Sequence, residues 1–388
     1  MQLENRTRAP IMTGLSGNEM FCLNKKGLRA GELVIGNSVF SLGLILGIGS
    51  SFRTLAGGEV THLTELIHDG RQASYERLLA HAEVRRGSGI TGVTNELILH
   101  PGTIEFLSIG SCVHREGAPS ERLEFTSSAD GQELYCQLDC GFHPIKFVFG
   151  NVAYSIGIGG GIAGAFRSLA RGEVPEYSEI FNKTRHLALE RITKEAHEAG
   201  GNAVVGITTS IIPFRGMQEM VMIGTASRHD SLPPAFSKTP ITSDLTNEEM
   251  WNLIHMGYMP IQLVLGVSVY SVGFVGGVSA FLKSFGRGEI PELTTLIYEA
   301  RENAIDKLMK DAVSCNADDV VGIKVYVYQL GSGIIEFMAV GTAVQKMDGL
   351  KTDHDHLPAQ AIIRDKDTFL NTAEKTMGKD LNRGQKDG

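Results

Sequence analysis

The chain has 388 residues, of which 42% are hydrophobic and 21% are charged, and its formal net charge is −8. This composition is typical of a globular protein of two or three domains, and the negative charge argues against a surface for nucleic acid or anionic lipid. Five cysteines do not indicate a disulfide framework, and the N-terminus carries no apolar signal segment. We therefore expect a cytoplasmic protein that binds neither nucleic acid nor membrane.

The predicted elements follow one order three times along the chain. The segment LVIGNSVFSLG from Leu33 returns as FVFGNVAYSIG from Phe147 and as LVLGVSVYSVG from Leu263. Each copy begins with a short helix and a β-rich strand, and a glycine-rich stretch with a second short helix comes next. A long helix with apolar residues at i, i+3 and i+4 follows, and two apolar strands joined by a tight turn close the copy. This self-similarity predicts three copies of one structural module.

We expect each module to be a small α+β unit, in which a long helix covers a three-stranded sheet in the order β-α-α-β-β behind a leading helix. The modules are placed at residues 15–117, 127–233 and 243–347. Residues 349–388 are charged and poorly periodic, and we predict that they form a mobile C-terminal tail.

The stretch GIGGGIAG at residues 157–164 has the G-x-G-x-x-G spacing that is typical of dinucleotide-binding loops. The other two copies lack this spacing, and a helix opened by RGEVPE follows instead of the second parallel strand that a dinucleotide fold requires. We therefore predict that these glycines allow close packing and that the segment binds no nucleotide.

Three sets of residues resemble those of the YbjQ-like family, whose members are described as heavy-metal-binding proteins. The first is a G-x-x-[VA]-[FY]-S sequence that begins at Gly36, Gly150 and Gly266, and the second is [GR]-G-E-[VI] ahead of the long helix. The third is the pair of closing strands, with NAVVGI at 202–207 and GTA at 224–226 in the second copy. The resemblance implies a dodecin-like fold and a pentameric ring. With three fused modules we favour five chains in a stack of three rings over fewer chains that share one ring.

Charged residues of two types recur at matching positions in all three copies. Glutamates open the last, otherwise apolar strand, and arginines lie on the long helix that should cover the sheet. A buried carboxylate needs a partner, so we expect Arg–Glu pairs within or between modules, or else an anion or metal site on the glutamates. These residues are Glu105, Glu219, Glu336, Arg71, Arg185 and Arg301. A further set, Glu59, Glu173 and Glu289, recurs at a predicted helix start, where a carboxylate complements the helix dipole.

The sequence CQLDCGFH holds Cys136, Cys140 and His143, the best cluster of candidate metal ligands that does not recur in the other copies. The cysteines at i and i+4 share a helix face, and the histidine follows the end of that helix. Three ligands do not complete a tetrahedral zinc site. The cluster therefore either binds a soft divalent metal or serves only in ordinary packing, and we expect no obligatory cofactor.

The three copies share no set of nucleophile, base and orienting group, which argues against a repeated catalytic site. We therefore interpret the chain as a non-enzymatic, oligomeric scaffold or binding protein whose partners are further copies of itself. A heavy-metal-binding or metal-sensing protein is the first alternative. An enzyme with its site at the module interfaces is the second.

Overall fold

The computed structural model describes residues 10–41, 43, 58–117, 122–155, 172–214, 217–271, 291–331 and 334–362. The second short helix predicted for each module, the glycines of residues 157–164 and the tail after residue 362 lie outside these ranges. Within them, none of the helices is both long and apolar enough to cross a membrane.

The α-helices of the described ranges alternate between nine and 24 residues in length. They are α1 (Gly17–Lys25), α2 (Thr61–Val84), α3 (Gly131–Asp139), α4 (Pro175–Glu198), α5 (Asn247–His255) and α6 (Pro291–Ser314). The strands are β1 (Leu28–Ser41), β2 (Gly58–Glu59), β3 (Gly89–His100), β4 (Thr103–Arg115), β5 (Phe125–Thr126), β6 (His143–Ser155), β7 (Gly172–Glu173), β8 (Ala203–Phe214), β9 (Met217–Arg228), β10 (Ile241–Thr242), β11 (Tyr258–Ser271), β12 (Asp319–Gly331) and β13 (Ile334–Lys346). Two short 3-10 helices lie at Pro234–Ser237 and Ala359–Ala361.

The short helix at the front of each module begins at the same local signal. Ser16, Asp130 and Thr246 each accept a hydrogen bond from the backbone N–H three residues further on. The side chain of a glutamate at that third position accepts a hydrogen bond from the backbone N–H of the capping residue, which completes a capping box. Each leading helix therefore starts where its own sequence dictates.

Three long antiparallel strands form the sheet of each module, and the last strand of the module lies in the middle of the three. The long helix packs across this sheet. The helix and the first strand are in close contact at the recurring glycine of that strand, because a Cβ on Gly150 would lie 2.2 Å from the carbonyl oxygen of Ala188. The corresponding distances at Gly36 and Gly266 are both 2.1 Å. The repeated glycine thus lets the helix approach the strand, and the predicted α+β module is confirmed.

Adjacent modules exchange short strands at the edges of their sheets. From module 1, β2 pairs with β6 of module 2, and from module 2, β7 pairs with β11 of module 3. In the other direction, β5 adds in parallel to β3, and β10 adds in parallel to β8. Each exchange covers backbone groups that a sheet edge would otherwise expose. We call the contact between successive modules a joint, and both joints of the chain are built in the same way.

The apolar core continues through the second joint. One buried cluster unites Phe181 and Ile192 of α4 with Met222 of β9 and Leu265 of β11. The modules are therefore packed against each other and are not separate beads on a chain.

The start of the predicted tail departs from the expectation of a free segment. Leu350 and Leu357 pack against an apolar cluster that includes Trp251 of α5, and Ala361 is buried in it. These apolar side chains at positions 350, 357 and 361 hold residues 349–362 against the leading helices, although the segment is rich in charge.

Candidate functional site at the joints between modules

The first joint is centred on a buried ion pair between α2 and β9. Arg71 Nε donates to Glu219 Oε1 at 2.9 Å and Nη2 donates to Oε2 at 2.7 Å, and neither side chain is exposed. The third nitrogen, Nη1, donates to the backbone and side-chain oxygens of Asn95. A bidentate contact with these further hydrogen bonds offsets the desolvation of both charges, and it fixes module 1 relative to module 2.

The second joint repeats this pair with Arg185 of α4 and Glu336 of β13. Arg185 Nε donates to Oε1 at 3.0 Å, and Nη2 lies 2.8 Å from both carboxylate oxygens, again with no exposure. The guanidinium Cζ lies 4.3 Å from the ring centroid of Tyr154. Burial alone would lower the pKa of Arg185, but the carboxylate of Glu336 and the hydroxyl of Tyr154 raise it above its ordinary value. Arg185 therefore keeps its charge inside the joint.

A second ion pair recurs nearer the surface of each joint. Glu59 Oε1 lies 2.7 Å from Arg191 Nη2, and Glu173 Oε1 lies 3.0 Å from Lys307 Nζ. Both glutamates stand just before a long helix, as expected, but their carboxylates reach cations of the next module. They therefore connect modules, in addition to any effect on the helix dipole. Glu289, the third member of this set, lies outside the described residues.

Backbone hydrogen bonds at the front of the long helix complete each joint. Ala153 N–H donates to Thr64 Oγ1 at 2.9 Å in the first joint, and Val269 N–H donates to Ser178 Oγ at 2.8 Å in the second. Our sequence analysis missed these contacts. A signal existed, because a hydroxyl residue occupies the same aligned position in all three copies, the third being Thr294.

The third members of the Arg–Glu set are not brought together. Arg301 is exposed on α6, with its guanidinium Cζ 5.9 Å from the ring centroid of Phe337. Glu105 belongs to module 1, at the other end of the chain, and its carboxylate lies 2.7 Å from His100 Nε2. The chain thus holds two complete joints, and the remaining arginine and glutamate lie in modules 3 and 1, apart from each other.

The predicted metal ligands lie at the end of α3, in a packed environment. Cys136 and Cys140 are buried, whereas His143 is exposed at the start of β6. Burial raises the pKa of both thiols above the ordinary value, which disfavours the thiolate form that binds metal. In the part of the chain that the structure describes, no group of three or more histidine, cysteine or acidic side chains could hold one ion. The structure therefore does not bring the three predicted ligands together.

A buried aspartate ties the leading helices to the segment after module 3. Asp139 accepts hydrogen bonds from Lys26 Nζ at 2.6 Å and from Trp251 Nε1 at 2.8 Å, and its Oδ1 lies 2.6 Å from His354 Nδ1. Burial alone would raise the pKa of Asp139, but these three partners hold it below the ordinary value. Sequence analysis missed this residue because no other module has a carboxylate at its position.

A cavity of about 710 Å³ lies at the second joint, between α4 and module 3. The cavity is lined by His186, His197 and Cys315, which makes it the candidate for a catalytic site at a module interface. However, His186 Nε2 lies 3.3 Å from Asp311, and His197 Nδ1 lies 2.9 Å from the carbonyl oxygen of Ser237. Burial raises the pKa of the Cys315 thiol. Among the described residues of this cavity, no nucleophile is hydrogen-bonded to a base, which does not favour catalysis.

A smaller cavity of about 340 Å³ lies where one strand from each module meets the others. The aligned residues Thr94 of β3, Thr208 of β8 and Lys324 of β12 line it. Lys324 Nζ also lies 3.1 Å from the carboxylate of Asp244. This central cavity therefore carries an ion pair on the side of module 3, where the aligned residues of modules 1 and 2 are neutral threonines.

A family model described as "Putative heavy-metal-binding" matches the chain three times, at residues 24–110, 143–230 and 258–347. Each match falls on one structural module. No solved structure matches the chain significantly.

Similar proteins include both long and short chains. A protein of Mycobacterium tuberculosis named encapsulin nanocompartment protein Rv1762c is 29% identical over 242 residues, which are 58% of this chain and 90% of that protein. A UPF0145 protein of Thermotoga petrophila is 40% identical over 86 residues, 22% of this chain and 81% of the relative. A UPF0145 protein of Methanocella arvoryzae is 42% identical over 82 residues, 21% of this chain and 68% of the relative.

Proposed function

Since this chain belongs to the family described as "Putative heavy-metal-binding" and carries its module three times, we propose that it is a non-enzymatic scaffold or binding protein that assembles with further copies of itself. One observation carries the proposal. The same joint forms twice within the chain, and modules 1 and 3 expose residues whose aligned counterparts are buried in the two joints. Contacts of this head-to-tail kind close into rings or continue into filaments.

The joints also bear on the kind of assembly. A stack of three rings would place the three modules of one chain in different rings. Within the chain, however, successive modules already occupy neighbouring positions through one repeated contact. This supports the arrangement in which a few copies share a single closed ring, and we propose it in place of the five-chain stack.

Two further observations support a role in assembly over catalysis. In the 710 Å³ cavity of the second joint, His186 contacts Asp311, His197 contacts the carbonyl oxygen of Ser237, and burial raises the pKa of the Cys315 thiol. A relative is named for an encapsulin nanocompartment, and that name refers to a protein assembly. We also propose a cytoplasmic location, because the five cysteines, all within the described residues, form no disulfide.

Native mass spectrometry of the full chain tests this proposal. We expect a closed oligomer whose mass is a small integer multiple of 42.0 kDa. Light scattering during size-exclusion chromatography should give the same mass for one monodisperse species at micromolar concentration. A 42.0 kDa monomer under these conditions would refute the proposed assembly.

Metal binding is the alternative that the family description favours. In this case the purified protein would retain zinc, copper or cadmium in a fixed ratio to the chain, as elemental analysis would show. Comparison with the Cys136→Ser, Cys140→Ser double variant then locates the site. An unchanged ratio in the variant would reject these cysteines as ligands.

A further inference from the structure

We propose that Arg301 of one chain pairs with Glu105 of a second copy of this chain, inside a third joint that copies the two internal ones. The inference rests on the proposed self-assembly and names the residues that would perform it. In this joint, α6 and β12 of the first copy meet β1 and β4 of the second. The partner is another copy because module 1 exposes the residues of one side of a joint and module 3 exposes those of the other side.

The free face of module 1 is apolar where its counterparts are covered. On β1, Ile35 is 43% exposed and Val39 is 57% exposed. The aligned residues of β6, Phe149 and Ala153, are at most 2% exposed, because α2 of the preceding module packs on them. The aligned residues of β11 are Leu265 and Val269, and both are fully buried. Among the described residues, module 1 therefore has no module packed on its β1 as modules 2 and 3 have on β6 and β11, and Ile35 and Val39 stay exposed.

The free face of module 3 exposes residues whose aligned counterparts in modules 1 and 2 are buried by the following module. Val93 of β3 and Ile207 of β8 are at most 2% exposed, whereas the aligned Ile323 of β12 is 46% exposed. Arg71 and Arg185 are fully buried, whereas the aligned Arg301 is exposed. Module 3 therefore lacks the following module that covers these positions in modules 1 and 2.

Charge complementarity places the two faces in a single register. In both internal joints, an arginine of the earlier module meets a glutamate of the later one. Arg301 is the remaining arginine and Glu105 the remaining glutamate, and among the described residues Arg301 has no carboxylate within ion-pairing distance. The same register sets Thr294 of α6 opposite the backbone N–H of Val39, as Thr64 and Ser178 are set in the internal joints.

The segment before α1 supplies the strand that this joint also requires. Ile11 and Met12 align with β5 and β10, which add to the preceding module, and both residues are exposed. The segment is already held in the equivalent place, because Gly14 N–H donates to Ser111 Oγ at 3.2 Å. The matching bonds in modules 2 and 3 are Ser128 N–H to Thr225 Oγ1 at 3.0 Å and Asp244 N–H to Thr342 Oγ1 at 3.1 Å. Ile11 and Met12 would thus pair with β12 of the other copy.

Charge reversal at the two residues tests this joint. We expect Arg301→Glu or Glu105→Arg alone to weaken association by about two orders of magnitude or more, because each places like charges together in the joint. The double variant, with both reversals in one chain, should restore the wild-type oligomer. Sedimentation velocity over a dilution series measures all three. Both residues are accessible within the single chain, so far-UV circular dichroism should stay unchanged in the variants.

Lys310→Glu is the matched control, since Lys310 is exposed on α6 nine residues from Arg301, half a turn away around the helix. It should leave the oligomer intact. If the wild-type chain is an oligomer and the single reversals do not weaken it, the Arg301–Glu105 joint is refuted while the proposed assembly stands. If the wild-type chain is a monomer, both proposals fail.

Discussion

Removal of Arg71 should destabilise the first joint far more than removal of an arginine from an exposed pair. In Arg71→Met, the carboxylate of Glu219 stays fully buried without its counter-charge, and the carbonyl oxygen of Asn95 loses a donor. Breaking a buried ion pair in this way typically costs about 3–5 kcal/mol. Replacing both partners, in Arg71→Met with Glu219→Met, should recover most of this loss because no unpaired charge remains.

Arg115→Met is the matched control for this prediction. Arg115 Nη2 lies 2.8 Å from Glu124, close to the distance in the buried pair, but both side chains are well exposed. An exposed pair contributes about 0–1 kcal/mol, so the variant should unfold almost as the wild type does. Urea unfolding followed by circular dichroism gives the free energies, and hydrogen exchange of β3 and β9 shows whether the loss lies at the joint. Equal losses in Arg71→Met and Arg115→Met would refute the argument from burial.

Three further outcomes are expected. Asp139→Asn should increase hydrogen exchange in residues 349–362, and unchanged exchange in the variant would contradict the role of Asp139. In the wild type, the same segment should loosen as the pH falls below about 4. The reason is that the pKa of Asp139 is lowered in the folded state, so its contacts stabilise the fold only while the carboxylate is ionised. Buried Cys136 and Cys140 should react with a thiol reagent only on unfolding, and rapid labelling of the native chain would show that their burial is wrong. NAD or ATP at millimolar concentration should not raise the melting temperature, whereas a rise that Gly161→Val abolishes would contradict the predicted absence of a nucleotide site.

Most of the fold could be predicted from the sequence because the module repeats. A glycine at 36, 150 and 266 marks the helix–strand contact of each module, and the helix and strand periods around it predict the elements. Recurring charge was also informative, because a glutamate that opens an apolar strand needs a partner. What the pattern could not decide was whether the arginine comes from the same module or from its neighbour.

The parts that sequence analysis missed depend on tertiary context. A two-residue strand such as Gly58–Glu59 has no signal of its own, because it is a strand only when a neighbouring sheet accepts it. The environment of Cys136 and Cys140 is likewise set by the segment after module 3, which covers the end of α3 through the contact of His354 with Asp139. Residues far apart in the chain determine both features, and no local pattern contains them.

Because the three modules are fused in one chain, the residues that line the central cavity need not be identical. When separate identical subunits surround an axis, one substitution changes every wall at once. Here a single gene encodes each wall independently, so Thr94, Thr208 and Lys324 can differ, and Asp244 can accompany Lys324 alone where the aligned residue of the preceding module is Ser128. Three fused modules can in this way carry different charges at equivalent positions of the cavity while the repeated ion pairs of the joints stay the same.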